Sequence, residues 1–376
     1  MKLAIFTLVQ HSTKDGKYYG YAPYVNEMNI WAKYADELVV LGIDKPNNEV
    51  DAIDTAYTHN NISFVAVPNF NILGFIDVLK TLILFPYIFL KCVQVMRQAD
   101  HIHIRCPSNV GLVACFAQLL FPSKSKSTKY AGNWDPNSNQ PWTYRLQQAI
   151  LRNTILTRNM KVLVYGEWPG ETTNVYSFIS ATYRDAERVS FNPKDYTQEL
   201  VFVFAGMLVP GKRPLLTVQF IEELNQQGIP ARLELFGDGP LRAQLEDYIS
   251  KQELESCITM HGNQDKTVVK AALLAAHFNI LLSKSEGWPK AVAEGMFYGC
   301  IPVTTSVSCV RWMLGEGQRG LIVEPDLESS VAEFISMFKT DDLNRMAKNA
   351  MDWSQQYTFD RLERDIQSVL NGTLKS

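Results

Sequence analysis

Between residues 200 and 304 the chain alternates short apolar runs with helical patterns, and this constrains its fold more than any other feature. Strands are expected at 200–205, 232–236, 258–260, 278–282 and 301–304. Helices are expected at 213–227, 241–252, 266–276 and 289–298, with another from Leu327 onward. Strands joined by helices of this length make a parallel sheet covered on both faces. Ligands of such sheets bind beyond the carboxyl ends of the strands.

The first half repeats the alternation less cleanly. Strands are expected at 3–8, 37–41, 62–65, 101–104, 129–131 and 162–165, and helices at 23–34, 74–98, 110–120 and 143–157. Between the halves lies RDAERVSFNPKDYTQE (184–199), polar and interrupted by a proline, as a linker should be. With 376 residues there is chain enough for two full cores. The expectation is an α/β protein of two Rossmann-like, doubly wound parallel-sheet domains, at 1–190 and 196–352. They would face a cleft with the linker as hinge, and a terminal segment at 353–376 would cross back to the first.

Hydrophobic content of 46% and charged content of 20% suit a soluble globular enzyme. A net charge of −3 argues against nucleic acid as a partner. The six cysteines show no CxxC pair and most lie in apolar stretches, so reduced core thiols of a cytoplasmic protein are expected. MKLAIFTLV meets His11, Lys14 and Asp15 without a cleavage-like site and reads as a first strand. The most apolar region, 70–96, is broken by Pro86 and flanked by Lys80 and Lys91, too short for a membrane span. It reads as a buried helix or as a surface helix touching a bilayer.

Three strand ends in the second half carry groups suited to phosphate or hydroxyls. After the run ending at Leu282, the turn SKSEGWPK (283–290) leads into a helix opened by Pro289, whose missing N–H costs nothing in a first turn. Free N–H groups and the positive helix end then point above the sheet, an arrangement for an anion. Glu286 lies in that turn and Glu294 inside the helix. Carboxylates on both sides of an anion cradle fit a ligand with phosphate in the middle and hydroxyls at both ends, such as a nucleotide sugar. Solvated helix-end charge explains the same spacing, which recurs at Glu316 and Glu324 without a helix between. Gly206 ends a strand, and Lys212 and Arg213 follow near a helix start, where cations do not help the helix. Either an anion explains them or they are solvated loop charges. Gly237 and Gly239 of GDGP allow close backbone approach before a helix opened by Pro240; a tight turn alone explains them equally.

Taken together, a strand with glycine and downstream lysine, G-x-G-P, HG at 261–262, S-x-x-E-G-x-P-x-x-x-x-E, YGCIPVTT at 298–305 and GLIVEP at 320–325 resemble retaining GT-B glycosyltransferases of the family-four type, the glycosyl transferases group 1. The resemblance covers about 200–355 and implies a nucleotide-diphosphate sugar as donor, of UDP or GDP type, and no other cofactor. Under it, Glu294 would hold the ribose hydroxyls, Glu286 would contact the donor sugar, and Lys212 would neutralise the leaving phosphates. Gly206, Arg213, Gly237, Gly239, Gly287, Trp288, Pro289 and Lys290 would line the donor site, with His261 and Gly262 beside the base. Met207 stands where the family often has a basic residue. In the first half, Gly16 and Gly20 of DGKYYGYAPY occupy the place of the family's glycine loop. KYAGNWDP stands where a histidine is frequent, offering Asn133 and Asp135 near the reacting carbon.

Arg105, after strand HIHI, is a candidate for the acceptor or a structural ion pair, and His101 and His103 read as packed strand residues rather than metal ligands. No D-x-D triplet occurs, so a metal-anchored diphosphate is not expected. The resemblance implies retention of configuration, with the leaving phosphate taking the acceptor's proton. With the apolar stretch 70–96, it points to a saccharide or lipid-linked acceptor in bacterial cell-surface polysaccharide or glycolipid assembly, with peripheral membrane contact through 70–96 at the inner face of the plasma membrane; a soluble metabolite as acceptor is equally compatible. A sugar-nucleotide epimerase or phosphorylase of the same fold, or a non-catalytic nucleotide-sugar-binding protein, are the alternatives.

Overall fold

The computed structural model describes residues 1–70, 75–340 and 342–374. They form two compact units, residues 1–178 with 362–376, and residues 179–361.

In the first unit the chain runs β1 (Lys2–Lys14), β2 (Lys17–Tyr21), α1 (Ala22–Ala32), β3 (Glu37–Asp44), β4 (Asp54–Ala56), β5 (Ile62–Ala66) and α2 (Phe75–Gln98). It continues through β6 (His101–Cys106), α3 (Asn109–Ala117), β7 (Ser125–Tyr130), α4 (Trp142–Arg152), β8 (Met160–Tyr165) and β9 (Val175–Phe178). Seven strands pair in parallel in the order β5-β3-β1-β6-β7-β8-β9. Leu3 to Phe6 of β1 are wholly buried, as a central parallel strand covered on both faces requires. The chain winds outward from β1 to β5, then returns to β6, so the topological switch lies between β1 and β6.

The expected glycine loop after the first strand is instead a hairpin. β1 continues to Lys14, Asp15 and Gly16 turn at positive φ, and β2 pairs antiparallel with β1. The reason is local: Asp-Gly is a favoured hairpin turn. Gly16 sits at the exposed tip, with nothing within 4 Å of the place a Cβ would take. Gly20 lies in β2, where a Cβ would come 3.3 Å from both Gln10 O and Val25 Cγ2.

α2 buries Ile88, Cys92, Val95 and Met96 and exposes Ile83, Tyr87 and Leu90. It was expected from Gly74, which lies outside the described residues. Among those residues no helix is long and apolar enough to cross a membrane.

The second unit runs β10 (Leu200–Ala205), α5 (Pro214–Gln226), β11 (Ala231–Phe236), α6 (Arg242–Lys251), β12 (Ile258–Gly262), α7 (Lys266–Ala275), β13 (Phe278–Leu281) and α8 (Lys290–Phe297). Then come β14 (Ile301–Thr305), α9 (Val310–Leu314), β15 (Leu321–Val323), α10 (Leu327–Thr340), α11 (Leu343–Ser354) and α12 (Phe359–Leu370), whose residues from Leu362 onward belong to the first unit. The sheet is parallel throughout, in the order β12-β11-β10-β13-β14-β15, with the switch between β10 and β13. Phe202 and Phe278 stack at 4.8 Å on these two strands, and Phe220 and Phe334 close over them. Burying each such ring contributes roughly 2–3 kcal/mol.

The boundary expected at 190–196 falls instead at 178–179. The segment 184–199 is polar but docked: Tyr183 and Val189 join the core cluster with Phe297 and Tyr298, and Lys194 Nζ donates to Gly299 O at 3.2 Å. Lys194 N also donates to Asn344 Oδ1 at 2.8 Å. Its polar groups satisfy backbone of the second unit, so composition alone mimics a free linker.

His101 and His103 are buried on β6, hydrogen-bonded to Ser125 and Ser127. Burial lowers His101 to about 3, His103 well below its ordinary value, and His11 to about 4. Their neutral forms are favoured by folding, so this stability is fully present above the unfolded value near 6.5 and falls with pH below it. His101 and His11 should each cost about 2 kcal/mol between pH 6.5 and 4.5, and His103 adds in the same direction. Urea unfolding followed across that range should show steadily falling stability; a flat profile would refute the assignment.

Candidate functional site

The carboxyl ends of β10 and β13 flank the switch point, and the loops that leave them are tied together. Lys284 N donates to Gly211 O at 2.8 Å, joining the β13–α8 loop to the β10–α5 loop. Across that join Lys212 Nζ lies 3.3 Å from Glu286 Oε1, which also accepts from Ser283 Oγ at 2.7 Å. The β13–α8 loop is held from β14 and the turn after it: Thr305 Oγ1 donates to Ser283 O at 2.6 Å, and Ser308 Oγ to Gly287 O at 2.9 Å. The side chains of Lys212 and Glu286 are 25% and 14% exposed, enough for a ligand to reach both.

Glycines set how closely these elements meet. A Cβ on Gly206 would lie 3.1 Å from Lys212 Cδ, so the lysine stem lies across that glycine. Gly237 has φ +130, and a Cβ there would fall 1.9 Å from Gly206 O; one on Gly239 would fall 2.7 Å from Leu208 O. The close approach that the GDGP glycines allow is therefore to the neighbouring backbone of this unit. Their N–H groups are engaged as well, Gly237 with Gly262 O and Gly239 with Asp238 Oδ1. Pro240 precedes the helix rather than opening it, since α6 begins at Arg242. Gly295 does the same for α8: a Cβ would sit 2.5 Å from Asn279 Cβ on β13. Only glycine lets α8 lie so close to the strand it follows.

α8 starts at Lys290, with Pro289 as its N-cap rather than its first residue, and no side chain caps it. Its N-terminal N–H groups leave a partial positive charge at the switch point. Arg213 caps α5 in the left-handed conformation at φ +48, and its Nη1 is buried without a partner. Met207, which follows Gly206 at the end of β10, is 63% exposed.

Glu294 lies inside α8. Its Oε1 accepts from Thr182 Oγ1 at 2.8 Å. Burial raises its carboxyl above the usual range, against the pull of that hydrogen bond and of Lys290, Lys266 and Lys212. The charge of Lys212 thus acts on both glutamates. His261 bonds Glu234 through Nε2 and stacks on Phe236 at 4.5 Å, and Gly262 follows at φ +68.

Other expected donor residues are placed differently. The Trp288 side chain is 7% exposed and packs into a cluster with Trp312, Trp353 and Tyr357. It anchors the loop through these ring contacts. Asn133 and Asp135 accept from backbone N–H groups two residues on, at 2.9 and 2.8 Å, and so shape the loop after β7. Arg105, next to last in β6, forms an ion pair with Glu27 at 2.8 Å. Among the described residues no three His, Cys, Asp or Glu side chains converge as a metal site would need. Thr182 and Lys266 had no sequence signal, because Thr182 stands in a segment without motif and meets Glu294 only through the fold.

Residues 185–353 match the model of the family Glycosyl transferases group 1. The chain is 27% identical over 203 residues to the putative colanic acid biosynthesis glycosyltransferase WcaL of Escherichia coli, covering 51% of this chain and 48% of that protein. It is 27% identical over 173 residues to the N-acetylgalactosamine-N,N'-diacetylbacillosaminyl-diphospho-undecaprenol 4-alpha-N-acetylgalactosaminyltransferase of Campylobacter jejuni, covering 44% and 45%. The chain spans about half the length of the curated relatives it matches. Among solved structures it is similar to Anabaena Alr3699/HepE in complex with UDP, with TM-score 0.70 and 15% identity over 99% of this chain and all of that one. That likeness shows the fold: two parallel-sheet α/β domains of GT-B type.

Proposed function

We propose that this chain is a retaining glycosyltransferase that moves a sugar from a UDP- or GDP-type donor to a saccharide or lipid-linked acceptor. The observation that carries the reading is the Lys212–Glu286 contact at the switch point of the second sheet, on two loops tied through Lys284 and Gly211. Breaking a glycosyl–phosphate bond builds negative charge on the departing diphosphate. Lys212, Arg213, Lys290 and the uncapped end of α8 are fixed in advance where that charge forms, which lowers the barrier without reorganisation and without a metal. Glu286 takes the sugar's hydroxyls and Glu294 those of the ribose. The acceptor attacks from the side the diphosphate leaves, and a diphosphate oxygen takes its proton, so configuration is kept and no protein nucleophile is involved.

The names of the Escherichia coli and Campylobacter jejuni relatives, one for colanic acid and one for a diphospho-undecaprenol acceptor, support a place in bacterial cell-surface polysaccharide or glycolipid assembly. The test is thermal stability with UDP, GDP, ADP and their sugars, followed by release of nucleoside diphosphate with and without acceptors. One nucleotide should raise the midpoint, and acceptor should speed release. Binding without turnover on any donor would instead indicate a non-catalytic nucleotide-sugar-binding protein.

The same reading places the chain at the cytoplasmic face of the membrane. Ile83, Tyr87 and Leu90 share one exposed face of α2, with Lys91 beside Tyr87, as on a helix lying in an anionic lipid surface. Vesicles containing phosphatidylglycerol should carry the protein on flotation, and Ile83→Ser with Leu90→Ser should release it. Failure of the unaltered protein to float would remove the membrane assignment.

A further inference from the structure

A glutamate side chain has several rotatable bonds, and a ligand that needs it in one place must offset the entropy of fixing it. Glu294 is fixed beforehand. Its Oε1 accepts from Thr182 Oγ1 at 2.8 Å, a contact across 112 residues of sequence. Threonine is β-branched, so its hydroxyl is itself restricted about χ1. Burial works against the charge of Glu294. Among the influences that oppose burial, the Thr182 hydrogen bond comes ahead of the charges of Lys290, Lys266 and Lys212. Glu294 still keeps part of its surface accessible, so Thr182 does not close it off from a ligand.

Thr182 is held from both sides. It lies between Ala181 and Tyr183, both buried. The Tyr183 ring packs on Phe297 at 4.8 Å and on Tyr298 at 4.9 Å, the residues that end α8. Tyr183 O accepts from Phe359 N at 2.9 Å. Lys266, the first residue of α7, donates through Nζ to Thr182 O at 3.2 Å. The same ammonium pairs with Glu187 at 3.0 Å and lies over the Tyr183 ring at 4.4 Å. The segment is thus pinned to the helix that carries Glu294 at two places, by the Thr182 hydroxyl and by the Tyr183 ring.

We infer that Thr182 is a positioning residue for the donor: its hydroxyl holds the Glu294 carboxylate in the orientation that takes the two ribose hydroxyls. Each carboxylate oxygen accepts more than one hydrogen bond, so the bond from Thr182 leaves room for both. The inference rests on the glycosyltransferase reading, which assigns the ribose to Glu294. It adds a residue near the start of the second unit, outside the 200–355 stretch that carries the motifs.

The experiment uses the full chain and titrates two nucleotides. One is UDP or GDP, whichever binds the unaltered protein more tightly; the other is the 2′,3′-dideoxynucleoside diphosphate of the same base. Thr182→Val keeps the shape of the side chain and removes its donor. It should weaken ribonucleotide binding about tenfold, as the loss of a hydrogen bond to a charged group does. Thr182→Ser should recover most of that affinity. The dideoxynucleotide has no hydroxyls for Glu294 to take, so its affinity should differ by less than about twofold between the unaltered and Thr182→Val chains. A merely structural threonine would weaken both nucleotides alike. In a chain carrying Glu294→Gln, Thr182→Val should cost little further affinity, because it acts through the carboxylate. Should Thr182→Val fail to fold, Thr182→Ala is put to the same comparison. The inference alone is overturned if removing the hydroxyl leaves ribonucleotide affinity unchanged, if it weakens the dideoxynucleotide equally, or if its effect adds in full to that of Glu294→Gln. If neither UDP nor GDP binds the unaltered chain, or if Glu294→Gln binds them equally well, the donor assignment itself falls and this inference falls with it.

Discussion

Lys212→Ala is expected to slow donor turnover about 10²–10³-fold, or roughly 3–4 kcal/mol of transition-state stabilisation, with the fold intact. The charge is partly exposed, and its contact with Glu286 spans 3.3 Å. An ion pair so placed contributes at most about 1 kcal/mol to stability, so the thermal midpoint should hardly move. Turnover depends on the same charge far more, because the departing diphosphate gains charge in the transition state and the lysine is fixed in the direction it takes. Glu286→Ala should also reduce turnover strongly, since it removes the group assigned to the sugar and frees Lys212 from its resting position. The two replacements share one contact, so their combined effect should fall short of the sum. Nucleoside diphosphate release under single-turnover conditions measures this directly. A Lys212→Ala protein with unchanged release would place the chemistry elsewhere.

The second sheet was legible because its strands are short apolar runs closed by glycine or small polar turns. The run beginning at Leu200 ends at Ala205 in both sequence and structure, and the others agree within one or two residues. The lysine and glutamate loops were legible for the same reason, since strand-end positions follow once the strands are known. β4 and β9, three and four residues long, lie in stretches where no apolar run announces them. The packing of Trp288 was not legible because its partners Trp312, Trp353 and Tyr357 are distant in sequence, and an aromatic residue in a binding-type turn looks the same whether it faces a ligand or anchors the loop. The glycines at 237 and 239 fit the expected pattern for a reason internal to the fold, the backbone of Gly206 and Leu208. The bridge from Glu27 to Arg105 and Lys129 joins a helix to two strands across 78 and 102 residues, and no periodicity encodes it.

Glu294→Gln should separate stability from binding, with opposite signs. Burial favours the neutral form of this carboxyl and raises it above its ordinary value, despite three nearby lysines. The part of folding stability that it supplies is therefore present below the ordinary carboxylate range and is lost as pH rises through the raised value. Glutamine keeps the shape and can keep the bond to Thr182 while never ionising. At pH 7.5 the variant should unfold at the same temperature or a few degrees higher, about 1 kcal/mol at most, and near pH 4 the difference should vanish. Donor binding should move the other way. A carboxylate accepting two ribose hydroxyls makes charge-assisted bonds that an amide cannot replace, a loss of roughly 2–3 kcal/mol or 30- to 150-fold in affinity. The nucleotide-induced rise in midpoint should shrink accordingly, and in the unaltered protein it should weaken as pH falls through the raised value, because protonation removes the acceptor. A variant that gains stability and still binds nucleotide with full affinity would show that Glu294 is an ordinary buried carboxyl and does not hold the ribose.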